Sequence, residues 1–175
     1  MMNKVSIQYF DAPCGRLILG TYDGRLCLCD WLNGRRRERI DARIRGLLRA
    51  DFAVQPSETA ARAASQLDEY FNGKRTMFRL PLLMLGTEFQ KRVWQCLCSI
   101  PYGTTLSYSA EAARMGRRSA VRAVANANGA NPMSVIVPCH RVVGSNGALT
   151  GYGGGMEIKR FLLDLERSSA TPLGL

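Results

Sequence analysis

Apolar residues recur at two different spacings along this chain, and no single kind of regular element satisfies both. Up to Leu32 the spacing is that of strands: "VSIQYF" alternates, "RLILGTY" follows the turn residues Pro13 to Gly15, and "RLCLCDWL" follows Asp23-Gly24, a strong hairpin signal. These three runs predict a small antiparallel sheet. Arg35 to Leu48 then has helical spacing, and Ser57 can cap a helix from Glu58 to Phe71 that Asn72-Gly73 ends, with Leu67, Tyr70 and Phe71 as its buried stripe. No catalytic pattern is visible in this half. Thr76 to Gly86 reads as a link. Beyond it Thr87 and Gln90 form a possible capping box, opening a helix to about Ser99 that buries Phe89, Val93, Trp94 and Leu97. Pro101 to Gly103 turns the chain, a second helix starts at Ser107 and stops at Gly116, and "SAVRAVANAN" makes a third. The chain is therefore expected to be α+β with two domains, 1–85 and 86–175, the second built around a helix-turn-helix.

The formal net charge of +10 favours a polyanionic partner. Its distribution is more telling. From Ala112 through Met156 there is no acidic residue, while Arg114, Arg117, Arg118, Arg122 and Arg141 all lie inside. The third helix offers Ala120, Ala123, Ala125 and Ala127, where base readout in the major groove calls for Arg, Asn or Gln, so it suits close approach to a backbone or a narrow groove. The most apolar stretch, Leu80 to Leu85, is too short to span a bilayer, and Lys4 followed by "VSIQYF" lacks the apolar run of a leader. A cytoplasmic protein without membrane association is expected. Six cysteines in such a chain read as reduced thiols, and the pairs Cys27/Cys29 and Cys96/Cys98, like Cys14, read as small buried hydrophobes. With one histidine, no Cys/His zinc set of ordinary spacing can be assembled, so no metal is expected.

That one histidine lies in "IVPCHRVV", directly after Cys139. On a strand the two side chains would point to opposite faces, but Pro138 tends to end a strand and leaves Cys139 and His140 on a turn. Upstream, Asn131-Pro132 ends the third helix and "SVIV" reads as a buried strand. Downstream come a second strand, the turn Ser145-Asn146-Gly147, and Gly151, Gly153, Gly154 and Gly155 around Tyr152. These glycines let a backbone approach a ligand closely but match neither a P-loop nor a dinucleotide fingerprint, so no cofactor is expected. The last helix, "MEIKRFLLDLE", turns Ile158, Phe161, Leu162 and Leu165 inward. Glu166 near its C-terminus is disfavoured by the helix dipole, and His140 is the obvious partner, which would complete a nucleophile, base and orienting carboxylate. By spacing alone, a solvated Glu166 is the commoner outcome.

At this point the chain resembles the O6-alkylguanine-DNA alkyltransferases, the methylated-DNA–protein-cysteine methyltransferases. The resemblance runs from "GTEFQKRVWQCLCSIPYGTTLSY" (Gly86 to Tyr108) through "RAVANANGANP" and "IVPCHRVVGSNG" to "GYGGGMEIKRFLLDLE" (Gly151 to Glu166), about half the chain in one motif order. The first half is compatible with the family's variable N-terminal domain. The resemblance implies a ribonuclease H-like N-terminal domain and a winged-helix-like C-terminal one. It implies that Cys139 accepts the alkyl group, that His140 acts as its base through a water, that Glu166 orients the imidazole, that Asn131 braces the turn, and that Tyr108 donates to the leaving guanine. Arg122 would take the flipped base's place in the stack, with Ala123, Ala127, Gly129 and Ser145 also at the DNA, and Val142, Tyr152 and Gly153 would line the base pocket. The expected partner is double-stranded DNA bearing O6-methylguanine or O4-methylthymine, bound through its minor groove by a monomer, with one irreversible transfer per molecule. Two departures stand out: relatives with a structural zinc need a histidine in the N-terminal domain, which this chain lacks, and Gly153 stands where alanine or serine is frequent. A non-catalytic lesion-binding module is the second reading, opposed by the retention of Cys139, His140 and Glu166. A Cys-His hydrolase is the third, and nothing beyond Cys139-His140 supports it.

Overall fold

The computed structural model describes residues 2–170. Strands β1 (Asn3–Ala12), β2 (Gly15–Tyr22) and β3 (Arg25–Trp31) pair antiparallel as the alternation predicts. Asp23 and Gly24 both take positive φ, 50° and 71°, as a two-residue hairpin turn matched to strand twist requires. The sheet is nevertheless mixed. Helix α1 (Arg37–Leu48) ends on Arg49 in the left-handed region, and the next five residues form β4 (Ala50–Val54), which pairs parallel to β1, giving the order β3-β2-β1-β4. "ADFAV" has too little apolar alternation to announce a strand.

Both faces of this sheet are covered. Ile40 and Ile44 of α1 pack on Val5, Ile7, Ile18 and Leu28. On the other face Ala63, Leu67, Tyr70 and Phe71 of α2 (Glu58–Phe71) pack on Leu17, Leu19 and Leu26. Double coverage explains why β2 and β3 read as near-continuous apolar runs while β1 alternates.

The second half is helical. Thr87 and Gln90 cap α3 (Glu88–Cys98) reciprocally, and the Ser107 hydroxyl accepts the Ala110 N–H to start α4 (Tyr108–Arg114). Helix α5 (Val121–Gly129) follows a short turn. The buried Trp94 indole donates to the Ala127 carbonyl at 2.9 Å and ties α3 to α5. Helix α6 (Met156–Ala170) closes the fold, burying Leu162, Leu163 and Glu166. Phe161, expected inside, sits at the rim and 36% exposed, because the α6 stripe is rotated toward Leu163.

The expected strand at 134–137 is absent. Those residues form a tight turn in which the Val137 N–H reaches Met133 O, and the β-branched Val135 is held at φ 72°. A strand needs a free neighbour, and here the neighbouring edge belongs to β3. The Leu26 N–H donates to Pro81 O and the Cys29 N–H to Pro132 O, so segments from beyond the sheet cap its edge. The second expected strand shrinks to β6 (Val142–Val143), parallel to β5 (Leu106–Ser107). Docking Asn131–Met133 onto β3 places Asp30 beside the Cys-His turn.

Candidate active site

Pro138 follows a turn and not the expected strand, and after it Cys139–Arg141 form a single 3-10 turn. Asn131 braces it from below: its amide N–H donates to Val137 O at 2.8 Å and its Oδ1 accepts the Met133 N–H at 2.9 Å. His140 is fully buried behind Cys139, with Nε2 2.7 Å from Glu166 Oε1. Glu166 is a crowded acceptor. Oε1 also takes the Tyr70 hydroxyl at 2.8 Å and Arg141 Nη2 at 2.9 Å, while Oε2 takes Arg141 Nε at 2.9 Å and the Gly103 N–H at 3.2 Å.

Burial alone would raise the Glu166 pKa, but the hydrogen bonds and charges of His140 and Arg141 outweigh it and bring it to about 2. Burial also lowers the His140 pKa despite Glu166, so the imidazole rests neutral. A neutral ring beside a permanent carboxylate carries its proton on Nε2, leaving Nδ1 as the acceptor, and Nδ1 has no protein partner among the described residues. Arg141 is therefore no part of a surface patch, since its guanidinium is spent on Glu166 and the Ile100 carbonyl. Arg114, Arg117, Arg118 and Arg122 are exposed as expected.

Burial pushes the Cys139 thiol up to about 11, against the downward pull of the Asn131 hydrogen bond and the Lys159 charge. The neighbours thus do not hold a resting thiolate. The sulfur needs a base at the moment of reaction. Lys159 is buried without a carboxylate partner among the described residues and donates to Val142 O, Thr150 O and Gly151 O at 2.6, 2.9 and 3.2 Å. One lysine thereby joins β6 to the glycine-rich loop.

Cys139 opens onto a cavity of about 540 Å³, within the range of small-molecule sites. Tyr108, Asn131, Ser145, Tyr152 and Gly153 line it, with Arg122 and Gly129 of α5 at its wall. The Tyr108 hydroxyl donates to Thr150 O at 3.1 Å. Gly154 lies on the Trp31 ring so closely that an added Cβ would sit 2.5 Å from it, and the Trp31 indole donates to the Tyr152 hydroxyl at 3.0 Å. Two expected positions fall elsewhere. Val142 is wholly buried and contributes its carbonyl to Lys159, and Ala127 is 4% exposed, spacing α5 against Trp94, while Ala123 does face outward.

Two family models match this chain: the 6-O-methylguanine DNA methyltransferase ribonuclease-like domain over residues 6–84, and the DNA binding domain of the same name over 88–168. A methylated-DNA–protein-cysteine methyltransferase of Methanosarcina barkeri is 43% identical over 92% of this chain and 98% of its own. The chain belongs to the 6-O-methylguanine DNA methyltransferase family. A crystal structure of Mycobacterium tuberculosis OGT in complex with DNA superposes with a TM-score of 0.81 at 40% identity, covering 95% of this chain and 96% of that one. An inducible methyltransferase of this name from Bacillus subtilis is 51% identical over 63% of this chain and 62% of its own.

In this methyltransferase the first half of the chain supplies parts of the site that its sequence did not reveal. Asp30, Arg35 and Arg36 line the cavity, and the Arg35 N–H donates to Gly153 O at 3.0 Å. Asp30 accepts the Ser134 hydroxyl at 3.0 Å and Arg37 Nη1 at 2.8 Å, and burial raises its pKa to about 6 despite Arg37. The only sequence signal was a lone acid inside an apolar strand. Among the described residues no three His, Cys, Asp or Glu are grouped to hold a metal, and no helix is long and apolar enough to cross a membrane.

Between α4 and α5 lies a third buried acid. Asn128 Nδ2 donates to Glu111 Oε2 at 2.7 Å, while Glu111 Oε1 and Asn128 Oδ1 have no partner among the described residues. Burial raises the Glu111 pKa to about 7, outweighing the Asn128 hydrogen bond. The folded state therefore holds this proton more tightly than the unfolded chain. The resulting stability is complete below the unfolded carboxylate pKa of about 4.3 and is lost as pH rises through the folded value. Glu111→Gln replaces the orphaned Glu111 Oε1 with an uncharged amide N–H that can donate to Asn128 Oδ1. Relative to the parent it is expected to add little at about pH 5 and roughly 2 kcal/mol at about pH 8, read from urea melts at the two pH values.

Proposed function

We infer that this protein repairs alkylated DNA by direct reversal, moving the alkyl group from O6-methylguanine to its own Cys139. The carrying observation is the buried Glu166–His140 pair set directly behind a cysteine that opens onto a base-sized cavity. A base-excision or hydrolytic site would need a route for repeated turnover. Here the product is a thioether with no group placed to cleave it.

The target oxygen lies inside the duplex, so the nucleotide must be everted into the cavity at a cost of roughly a few kcal/mol. The Cys139 proton passes to His140 Nδ1 through a bridging water, and Glu166 stabilises the imidazolium that forms. Sulfur bonds to the alkyl carbon as the carbon–O6 bond breaks. The bond's electron pair leaves with the guanine, which takes a proton from Tyr108, and His140 returns the proton to the tyrosine by way of solvent. Tyr152 and Gly153 flank the base, and Tyr108 turns its hydroxyl from Thr150 O to the base. Arg122 fills the gap left in the stack. Ala123 presents a small side chain on the exposed face of α5, which fits a minor groove approached closely and flanked by the exposed arginines. O4-methylthymine offers the same alkyl–oxygen bond and is a second substrate. All the groups named belong to one chain, so a monomer suffices, with residues 1–85 buttressing the alkyltransferase part, 86–175, and the cytoplasm as its place of work.

Cys139→Ala tests this. The variant is expected to bind methylguanine duplex with affinity within about threefold of the parent while transferring no methyl. Persistent transfer, or release of methanol over several turnovers, would overturn the reading.

A further inference from the structure

The catalytic carboxylate is anchored from the far half of the chain. Tyr70, on α2, is fully buried and separated from Glu166 by 96 positions, yet its hydroxyl lies 2.8 Å from Oε1, the same oxygen that takes the His140 Nε2 proton. Its ring is fixed on every side, edge-on to Phe71 at 5.2 Å and to Tyr102 at 6.1 Å and tilted on Phe78 at 5.5 Å. A ring so packed cannot turn its hydroxyl elsewhere. Burial, with the negative charge and hydrogen bond of Glu166, drives the Tyr70 pKa upward, so the phenol is always a donor.

We propose that Tyr70 is a positioning residue for the alkyl transfer, sharing Glu166 Oε1 with His140 and so setting how basic the imidazole is. This rests on His140 being the base for Cys139. The physical reason is competition for one oxygen. Each donor to Oε1 withdraws negative charge from it and weakens its pull on the imidazole proton. The other groups facing the pair are Arg141 on the 3-10 turn, the Gly103 N–H, and Lys159 on α6, and both cations oppose an imidazolium. Tyr70 is the one neutral donor that can be deleted without changing the local charge. Without it Oε1 pulls harder on Nε2–H, the imidazolium is favoured, and less of the base is free to take the Cys139 proton near neutral pH. The sheet-bearing half of the chain thus tunes the chemistry of the other half.

The experiment uses Tyr70→Phe, which keeps the ring, and the fact that His140 is the only histidine, so labelled histidine gives a single NMR titration. The His140 midpoint is expected to rise by about half a pH unit or more. Alkyl transfer from a methylguanine duplex is expected to slow by up to about threefold near pH 6, the limit that a half-unit rise sets on the neutral imidazole, and much less near pH 8.5, with DNA affinity unchanged. A variant with the parent's midpoint, or a rate loss equal at both pH values, overturns the proposal. Should Tyr70→Phe not fold, the parent decides: a slowly exchanging Tyr70 hydroxyl proton close to the His140 ring is expected, and its absence overturns the proposal. The titration does not depend on methyl transfer, so a shifted midpoint in a protein that transfers nothing would sink the functional reading and leave the shared oxygen standing.

Discussion

Glu166→Gln is expected to lower the rate of methyl transfer by roughly 10²–10³-fold and to destabilise the protein by about 3 kcal/mol. Both effects come from one carboxylate that accepts five hydrogen bonds, two of them from Arg141. Glutamine keeps the volume but turns an N–H toward a donor, leaving the buried Arg141 charge without its counter-ion. That is the expensive way to break a buried pair. In the proposed mechanism the rate falls because a neutral amide cannot stabilise the imidazolium formed when His140 takes the thiol proton. The sulfur depends on that step, since burial holds it as a thiol. Stopped single-turnover kinetics and urea unfolding of the same preparation separate the two effects. A variant that is destabilised but transfers at the parent rate would remove Glu166 from the chemistry.

Arg122→Ala is expected to slow repair in duplex DNA by roughly 10²-fold while leaving the reaction with free O6-methylguanine base within about threefold. Arg122 is exposed on α5 at the cavity wall, away from the Glu166 network, so it has no route to the sulfur's reactivity. Its effect lies in the cost of keeping a base out of the stack. The free base has no stack to leave. Equal slowing on both substrates would assign Arg122 to the chemical step and withdraw it from base eversion.

Local signals carried much of the site into the sequence. Cys139 and His140 lie on a turn after Pro138 as expected, although no strand precedes it, the Thr87-Gln90 box and Ser107 cap began α3 and α4 where expected, and Glu166 stands where the helix dipole disfavours it because His140 and Arg141 are there. What escaped was set by contacts between distant segments. Tyr70 read correctly as a buried stripe residue, but no spacing could say that its hydroxyl meets a carboxylate on the last helix. Asp30 looked like an ordinary strand residue, and its place at the cavity depends on Pro132 pairing with the edge of β3. The same pairing converted "SVIV" from an expected strand into a turn. Val142 and Ala127 sit beside functional neighbours in sequence, but each turns its side chain into the core.

The central claim is that the Cys139 sulfur takes the alkyl carbon and keeps it. Incubating the parent protein with an equal amount of methylguanine duplex, digesting it, and weighing the peptide that carries Cys139 tests that claim most directly. One methylene's mass should be added to that peptide alone, with one guanine restored per protein molecule and no further repair on adding fresh DNA. Restored guanine alongside an unmodified Cys139 peptide would contradict it.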